Sequence, residues 1–141
     1  MIDVDKLAKI EAVDLWTGNL TLRPNARTIC YFIINTMNDR EAIRKIAMSL
    51  ILSGCREFHF YGKQEVLWHQ IFDEVDIQIN PNASDDDIAL TMGYVTLDEL
   101  LDELLEGASV RGFVPQQFVL FYDDAEQYEI LKNKGAQKWQ R

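Results

Sequence analysis

Residues 28–35, TICYFIIN, are apolar at almost every position and rich in β-branched and aromatic side chains. A strand with one wet face alternates apolar and polar residues. A run that is apolar on both parities belongs to a strand covered on both sides, as in a parallel sheet flanked by helices. The residues on either side decide whether such a sheet exists.

Downstream, Asn38 or Asp39 stands where a cap belongs for a helix through REAIRKIAMSLIL. Ile43, Ile46, Ala47 and Leu50 make its apolar stripe, and Gly54 sits at the C′ position. EFHFY then reads as a second strand ended by Gly62. KQEVLWHQIFDEV reads as a helix with Val66, Leu67, Ile71 and Phe72 facing inward. IQINPNASDDD is a connection rich in turn formers, with a short extended piece expected around Ile77 to Ile79. IALTM is a third strand, broken by Gly93. Thr96 caps the helix LDELLDELLEG, which Gly107 stops; QFVLFY is a strand and DAEQYEILKNK a helix, with Gly135 after it. Upstream, DVDKLAKIEAVDL places Val4, Leu7 and Ile10 at helical spacing with Asp3 as a cap, so a short packing helix is expected. WTGNLTLRPNAR reads as loop, with Gly18 and Pro24 as breakers.

Strand and helix alternate four times, the pattern of right-handed crossovers around a parallel sheet. The expectation is an α/β fold: a three-layer α/β/α sandwich on a mostly parallel sheet of four to five strands, Rossmann-like or flavodoxin-like in topology. It forms a single domain over residues 1–141. Counting strands from TICYFIIN, neighbour rules favour the sheet order 2-1-3-4.

The 141 residues carry a formal net charge of −9. That charge repels a phosphate backbone, so no nucleic acid partner is expected. It also speeds encounter with a basic partner. Cys30 and Cys55 lie among apolar or strand-like neighbours and read as buried, reduced thiols. The amino terminus has no apolar run, and no stretch approaches the roughly 18 apolar residues of a membrane span. A cytoplasmic chain with no membrane contact is expected.

In a doubly wound sheet, ligands bind beyond the carboxyl ends of the strands. Asn35, Thr36, Asn38 and Asp39 follow the first strand there, Gly62 and Lys63 the second, Tyr94 and Thr96 the third, and Asp123 and Asp124 the last. Asp39, Asp123 and Asp124 suggest an acidic magnesium pocket. No aspartate stands at the tip of the first strand, however, and no lysine follows the last, so helix caps explain these acids as well. The first turn, NTMND, lacks the glycines of dinucleotide binding, and no phosphate loop is present. His59 and His69 with two cysteines lack zinc spacing. Cys55 and His59 fall ~13 Å apart along a strand, out of proton-transfer reach. The sequence therefore offers no catalytic set, no metal site and no cofactor site, and the chain reads as a non-enzyme.

Residues 84–107 hold eight carboxylates and no lysine or arginine. On a helical wheel Leu97, Leu100, Leu101, Leu104 and Leu105 form the packing stripe. Asp98, Glu99, Asp102, Glu103 and Glu106 take the other side. A straight helix spreads acids along its surface and cannot close them into a metal cage. The i,i+4 pairs Asp98–Asp102 and Glu99–Glu103 repel by a few tenths of a kcal/mol, about as much as an attractive pair gains. The face is either solvated or used against a basic partner, with Asp85, Asp86 and Asp87 adding to the same half of the molecule. Trp16 or Trp68 would serve as an aromatic anchor, with core packing as the alternative for each.

SGCREFHFYG, a helix containing Trp68, then DEVDIQIN, DDDIALTM and TLDELLDELL resemble a family of small uncharacterised bacterial α/β proteins with a GCR-aromatic strand. The resemblance runs from about Thr28 to Asp124, with Gly54-Cys55-Arg56 and Gly62 as its compact motif, and it carries no site residues over. In size, acidity and lack of catalytic apparatus the chain also resembles immunity proteins of contact-dependent and other polymorphic toxin systems. That likeness implies a bacterial protein that neutralises a cognate, basic, nuclease-type toxin domain through Asp98, Glu99, Asp102, Glu103 and Glu106, then Asp85 to Asp87. Its alternative is a small-ligand or magnesium-dependent enzyme domain using the carboxyl ends of the strands.

Overall fold

The computed structural model describes residues 10–17, 24–84 and 87–139. Five parallel strands form one sheet: β1 (Glu11–Asp14), β2 (Thr28–Ile33), β3 (Glu57–Tyr61), β4 (Leu90–Tyr94) and β5 (Gln117–Tyr122). The helices are α1 (Arg40–Leu52), α2 (Glu65–Ile79), α3 (Leu97–Glu106) and α4 (Ala125–Trp139). This is an α/β fold of the three-layer α/β/α, Rossmann-like kind. Apolar residues of α1 and α2 pack with Cys30 and Phe32 of β2 and with Ile34 just after it on one face, and those of α3 and α4 with Ile29, Tyr31 and Ile33 on the other.

The sheet order is β1-β5-β2-β3-β4. It corrects the expected order: residues 90–94 pair with 57–61, and 117–122 take the place beside 28–33. The physical reason is readable in the strands themselves. A central strand is covered by two neighbours and two helical layers, so the most apolar runs, TICYFI and QFVLFY, belong inside. EAVD, with a carboxylate at each end, and LTMGY take the edges and are the least buried of the strands.

Several local expectations are also corrected. Glu11–Asp14 is a strand, because β5 offers it a parallel edge from Val119 to Tyr122; the remainder of the expected first helix, with Asp3, Val4 and Leu7, lies outside the described residues. Ile77 to Ile79 close α2 instead of forming an extended piece. Gly93 lies inside β4, where it leaves room for another side chain: a Cβ there would stand 1.7 Å from Glu65 Oε1. Gly135 is buried within α4 and does not stop it. On α2, Val66 is exposed, and Trp68 and Val75 join Ile71 and Phe72 inside.

The ends of α1 and α3 follow the sequence. Asp39 caps α1 by accepting the Glu41 N–H, and Thr96 caps α3 by accepting that of Glu99. Gly107 ends α3 in the left-handed region, with φ 62°. All five leucines of the α3 stripe are buried.

Candidate functional site

At the carboxyl ends of the strands, the crevice between β2 and β5 is where this kind of sheet reverses its winding and usually takes a ligand. Here the chain fills it. The carboxylate of Asp123, almost wholly buried, accepts backbone N–H groups of Asn35 and Thr36 (both 2.8 Å) and Met37 (2.7 Å). Amides that would otherwise face an anionic ligand are satisfied by an internal anion. Asp124 accepts the Asn35 amide at 3.0 Å and caps α4 through the Gln127 N–H at 3.2 Å. Asn35 Oδ1 in turn accepts the Lys63 N–H at 2.9 Å. Gly62 is needed at this crossing: its φ is 130°, and a Cβ would meet Ile34 O at 2.2 Å. Asp39, Asp123 and Asp124 thus do separate structural jobs, and among the described residues no cluster of His, Cys, Asp and Glu is arranged for a metal ion. A shallow groove of about 340 Å³ remains nearby, bordered by Tyr61, Lys63, Val95 and Gln127.

Neither tryptophan is a simple anchor. Trp68 is fully buried, and its indole N–H donates to Met37 O at 2.9 Å, so of the two alternatives it takes core packing and not anchoring. Trp16 is exposed and lies over the β2–β5 crevice, its indole N–H donating to Asp123 O at 3.0 Å.

The acids of α3 face outward, as the wheel requires. Asp98, Glu99, Asp102 and Glu106 are exposed and Glu103 is half-buried. Two of them meet cations that the local sequence does not show. Lys134 Nζ donates to Asp98 at 2.9 Å, and Lys138 Nζ to Asp102, both from α4. The hydrogen bond from Lys134, with its charge, holds the Asp98 carboxyl below its usual range. Glu99 reaches back to the Val95 N–H at 3.4 Å. Asp87 closes a turn with Ser84 before β4, at the end of that strand opposite Tyr94. Asp85 and Asp86 lie outside the described residues.

Beneath α3 lies a polar chain that sequence reasoning missed. Glu57 and His59 are fully buried on the α3 side of β3. Glu57 Oε2 lies 2.9 Å from His59 Nε2, and His59 Nδ1 lies 2.7 Å from the Tyr94 hydroxyl. Ser109 Oγ (2.9 Å) and the Val110 N–H (3.1 Å) donate to Glu57 Oε1. Burial alone would raise the Glu57 pKa; the hydrogen bonds from His59 and Ser109, helped by the His59 charge and the Val110 amide, win and hold it below its ordinary value. Burial, then the Glu103, Glu57 and Glu99 charges, push the Tyr94 hydroxyl far up, so it stays protonated. A carboxylate can only accept, so His59 Nε2 carries a proton, and Tyr94 donates to Nδ1 when the ring is neutral. The signal was present in E-x-H: on a strand, residues two apart share a face. On the opposite face Cys30 and Cys55 adjoin, and burial, then the hydrogen bond with Cys55, push the Cys30 thiol well up.

A second polar group sits at the β4 edge. Thr91 Oγ1 donates to Asp73 Oδ1 at 2.8 Å and lies 2.7 Å from His69 Nε2, and Glu65 Oε1 is 3.6 Å from His69 Nδ1.

From Gln64 to Val110, covering α2, β4 and α3, the chain contains twelve of its 23 Asp and Glu residues and none of its 14 Lys and Arg. The acidic stretch of residues 84–107 holds eight of these twelve, and α2, on the other side of β4, supplies the other four. No family model, curated protein or solved structure matches this chain.

Proposed function

We propose that this chain is a cytoplasmic bacterial immunity protein, which binds and neutralises a basic, nuclease-type toxin domain. The observation that carries the reading is the one-sided acidity: α2, β4 and α3 contribute no cation of their own to the edge they surround. A nuclease domain is basic because it must grip phosphates, so an acidic surface is steered to it and competes with its substrate. The filled β2–β5 crevice supports a binding role over the alternative, a magnesium or small-ligand enzyme, because Asp123 already holds the amides that a ligand would use.

Co-expression of the chain with the product of the adjacent gene of its source bacterium, followed by affinity capture, tests the reading. The expected result is a stable complex with a basic protein whose nuclease activity is lost on binding. Replacing Asp98, Glu99 and Glu106 with Asn, Gln and Gln should slow association about tenfold at low ionic strength and flatten its salt dependence. Association that ignores both salt and these substitutions rules out steering by α3. Recovery of no basic partner, with stabilisation by magnesium or a nucleotide instead, returns the function to the carboxyl ends of the strands.

A further inference from the structure

Among the described residues, β4 ends the sheet and has a strand neighbour on one side only. The Leu90 N–H donates to Arg56 O at 2.7 Å, so Leu90 addresses β3. Alternate residues of a strand address opposite sides, and Met92 and Tyr94 therefore face β3 as well, while Thr91 and Gly93 turn their amides and carbonyls outward. Gly93 is exposed. Proteins commonly blunt such an edge with lysine, proline or a bulge. LTMGY contains neither lysine nor proline, and its pairing with β3 runs unbroken from Leu90 to Tyr94.

The surroundings of this edge select what fits it. On the α2 side, Glu65 stands over Gly93 and Asp73 holds the Thr91 hydroxyl. A shallow groove of about 420 Å³ continues along α2, with exposed Val66 and Ile77 as its apolar part and Glu65, Asp73 and Glu74 around it. On the α3 side, Glu99 lies beside the Val95 N–H at the end of the strand. Side chains of an added strand point alternately to the two faces, and both faces present carboxylates. A second copy of this chain would bring like charges together at close range, whereas lysine or arginine at the alternate positions that point to the α2 side would match Glu65 and Asp73 there.

We propose that β4 is completed by an extended segment of a basic partner, added as a sixth strand whose backbone pairs with Thr91 and Gly93. Its side chains on the α2 side are cationic, with their charged ends against Glu65 and Asp73 and their apolar stems along the groove beside Val66 and Ile77, while the intervening ones point to the α3 side. The proposal rests on the inhibitor reading above for the identity of the partner, and it names where that partner docks. Strand addition draws affinity from main-chain hydrogen bonds and specificity from the flanking side chains, which suits an inhibitor that must hold one partner only.

The test uses the full chain, labelled with nitrogen-15, and a short synthetic peptide alternating lysine with valine. The expected result is saturable shifts concentrated on residues 90–95, with slowed hydrogen exchange at the Thr91 and Gly93 amides. Thr91→Pro removes the outward N–H, a loss that an edge strand tolerates, together with the hydroxyl, and should weaken binding at least about tenfold. Thr91→Val removes the hydroxyl and keeps the N–H, and should bind like the parent. Shifts confined to the acids of α3, equal binding by Thr91→Pro, or no saturable binding would overturn the proposal. Capture of a basic partner indifferent to Thr91→Pro removes the edge and leaves the inhibitor. A peptide that adds at β4 while no basic partner is captured does the reverse.

Discussion

Phe32, Phe58, Phe60, Phe72, Phe121 and Trp68 meet on the α1/α2 face of the sheet, whereas the α3/α4 face sets a stripe of leucines over Tyr31, Glu57 and His59. Strand β3 serves both: Phe58 and Phe60 point one way, Glu57 and His59 the other. The aromatic side gains from area and packing, which are non-directional and forgiving of small shifts. The polar side depends on every partner being present, since a buried carboxylate with a missing donor costs more than the intact pair gains. The outer surfaces differ too, since Asp98 and Asp102 of α3 meet lysines from α4 while Glu65 and Asp73 of α2 stand at an open strand edge. Two layers of one sandwich thus carry different risks.

Phe32→Ala is the strongest way to test the aromatic side. The ring lies 4.9 Å from both Phe60 and Phe121, centroid to centroid, and 5.5 Å from Trp68 and Phe72. Truncation should remove roughly 3–5 kcal/mol, read from urea unfolding. Against a total of about 5–15 kcal/mol, that leaves the chain near its threshold. A loss under about 1 kcal/mol would mean that the neighbours collapse into the gap, and the contrast in tolerance between the two faces would then be larger still.

Glu57→Ala addresses the other side. It strands His59 Nε2, Ser109 Oγ and the Val110 N–H, and should cost about 3 kcal/mol. Glu57→Gln keeps the shape and isolates the charge. The folded-state pKa of Glu57 lies below its ordinary value of 4.5. Its contribution is therefore complete above that value and is lost as pH falls through the lower folded one. Stability of the parent should fall more steeply below pH 4.5 than that of Glu57→Gln, by urea titrations across that range. Parallel curves would show that the carboxylate is held by shape and not by charge, and the two faces would then be alike.

How much of this was legible follows the range of each interaction. Strand β2, helix α1 and helix α3 with its cap, leucine stripe and Gly107 stop are local patterns, and the sequence carries them in full. The acids of α3 were legible as a face for the same reason. Their lysine partners were not, because Lys134 and Lys138 lie 36 residues away and only the packing of α4 on α3 joins them. Strand β1 was hidden because four residues, EAVD, have no strong preference until β5 offers an edge. Gly93 read as a breaker because the side chain occupying its space, Glu65, comes from another element. The Glu57–His59 pair is legible from spacing alone, since residues two apart on a strand share a face, but its partners Tyr94, Ser109 and Val110 are more than 30 residues away and only the fold brings them in.

The smallest expected effect on stability is the most informative about the surface. Lys134→Ala with Lys138→Ala removes both cations that α4 lends to α3. Both ion pairs are exposed, and pairs in water contribute little, so the urea midpoint should stay within error. Association is a different matter, because rates respond to the summed field and not to the pair. The chain becomes two charges more negative than −9, with Asp98 and Asp102 released toward the partner. Association with a basic partner should speed up about two- to threefold at low salt and return to the parent rate at high salt, where screening shortens to a few ångströms. The rate at which the complex falls apart should not change if docking is at β4, since these lysines lie on α4, against α3 and away from the open edge. A slower dissociation would place the released carboxylates of α3 in the contact itself. The two sides of β4 would then share one interface, with α3 holding the partner as well as steering it.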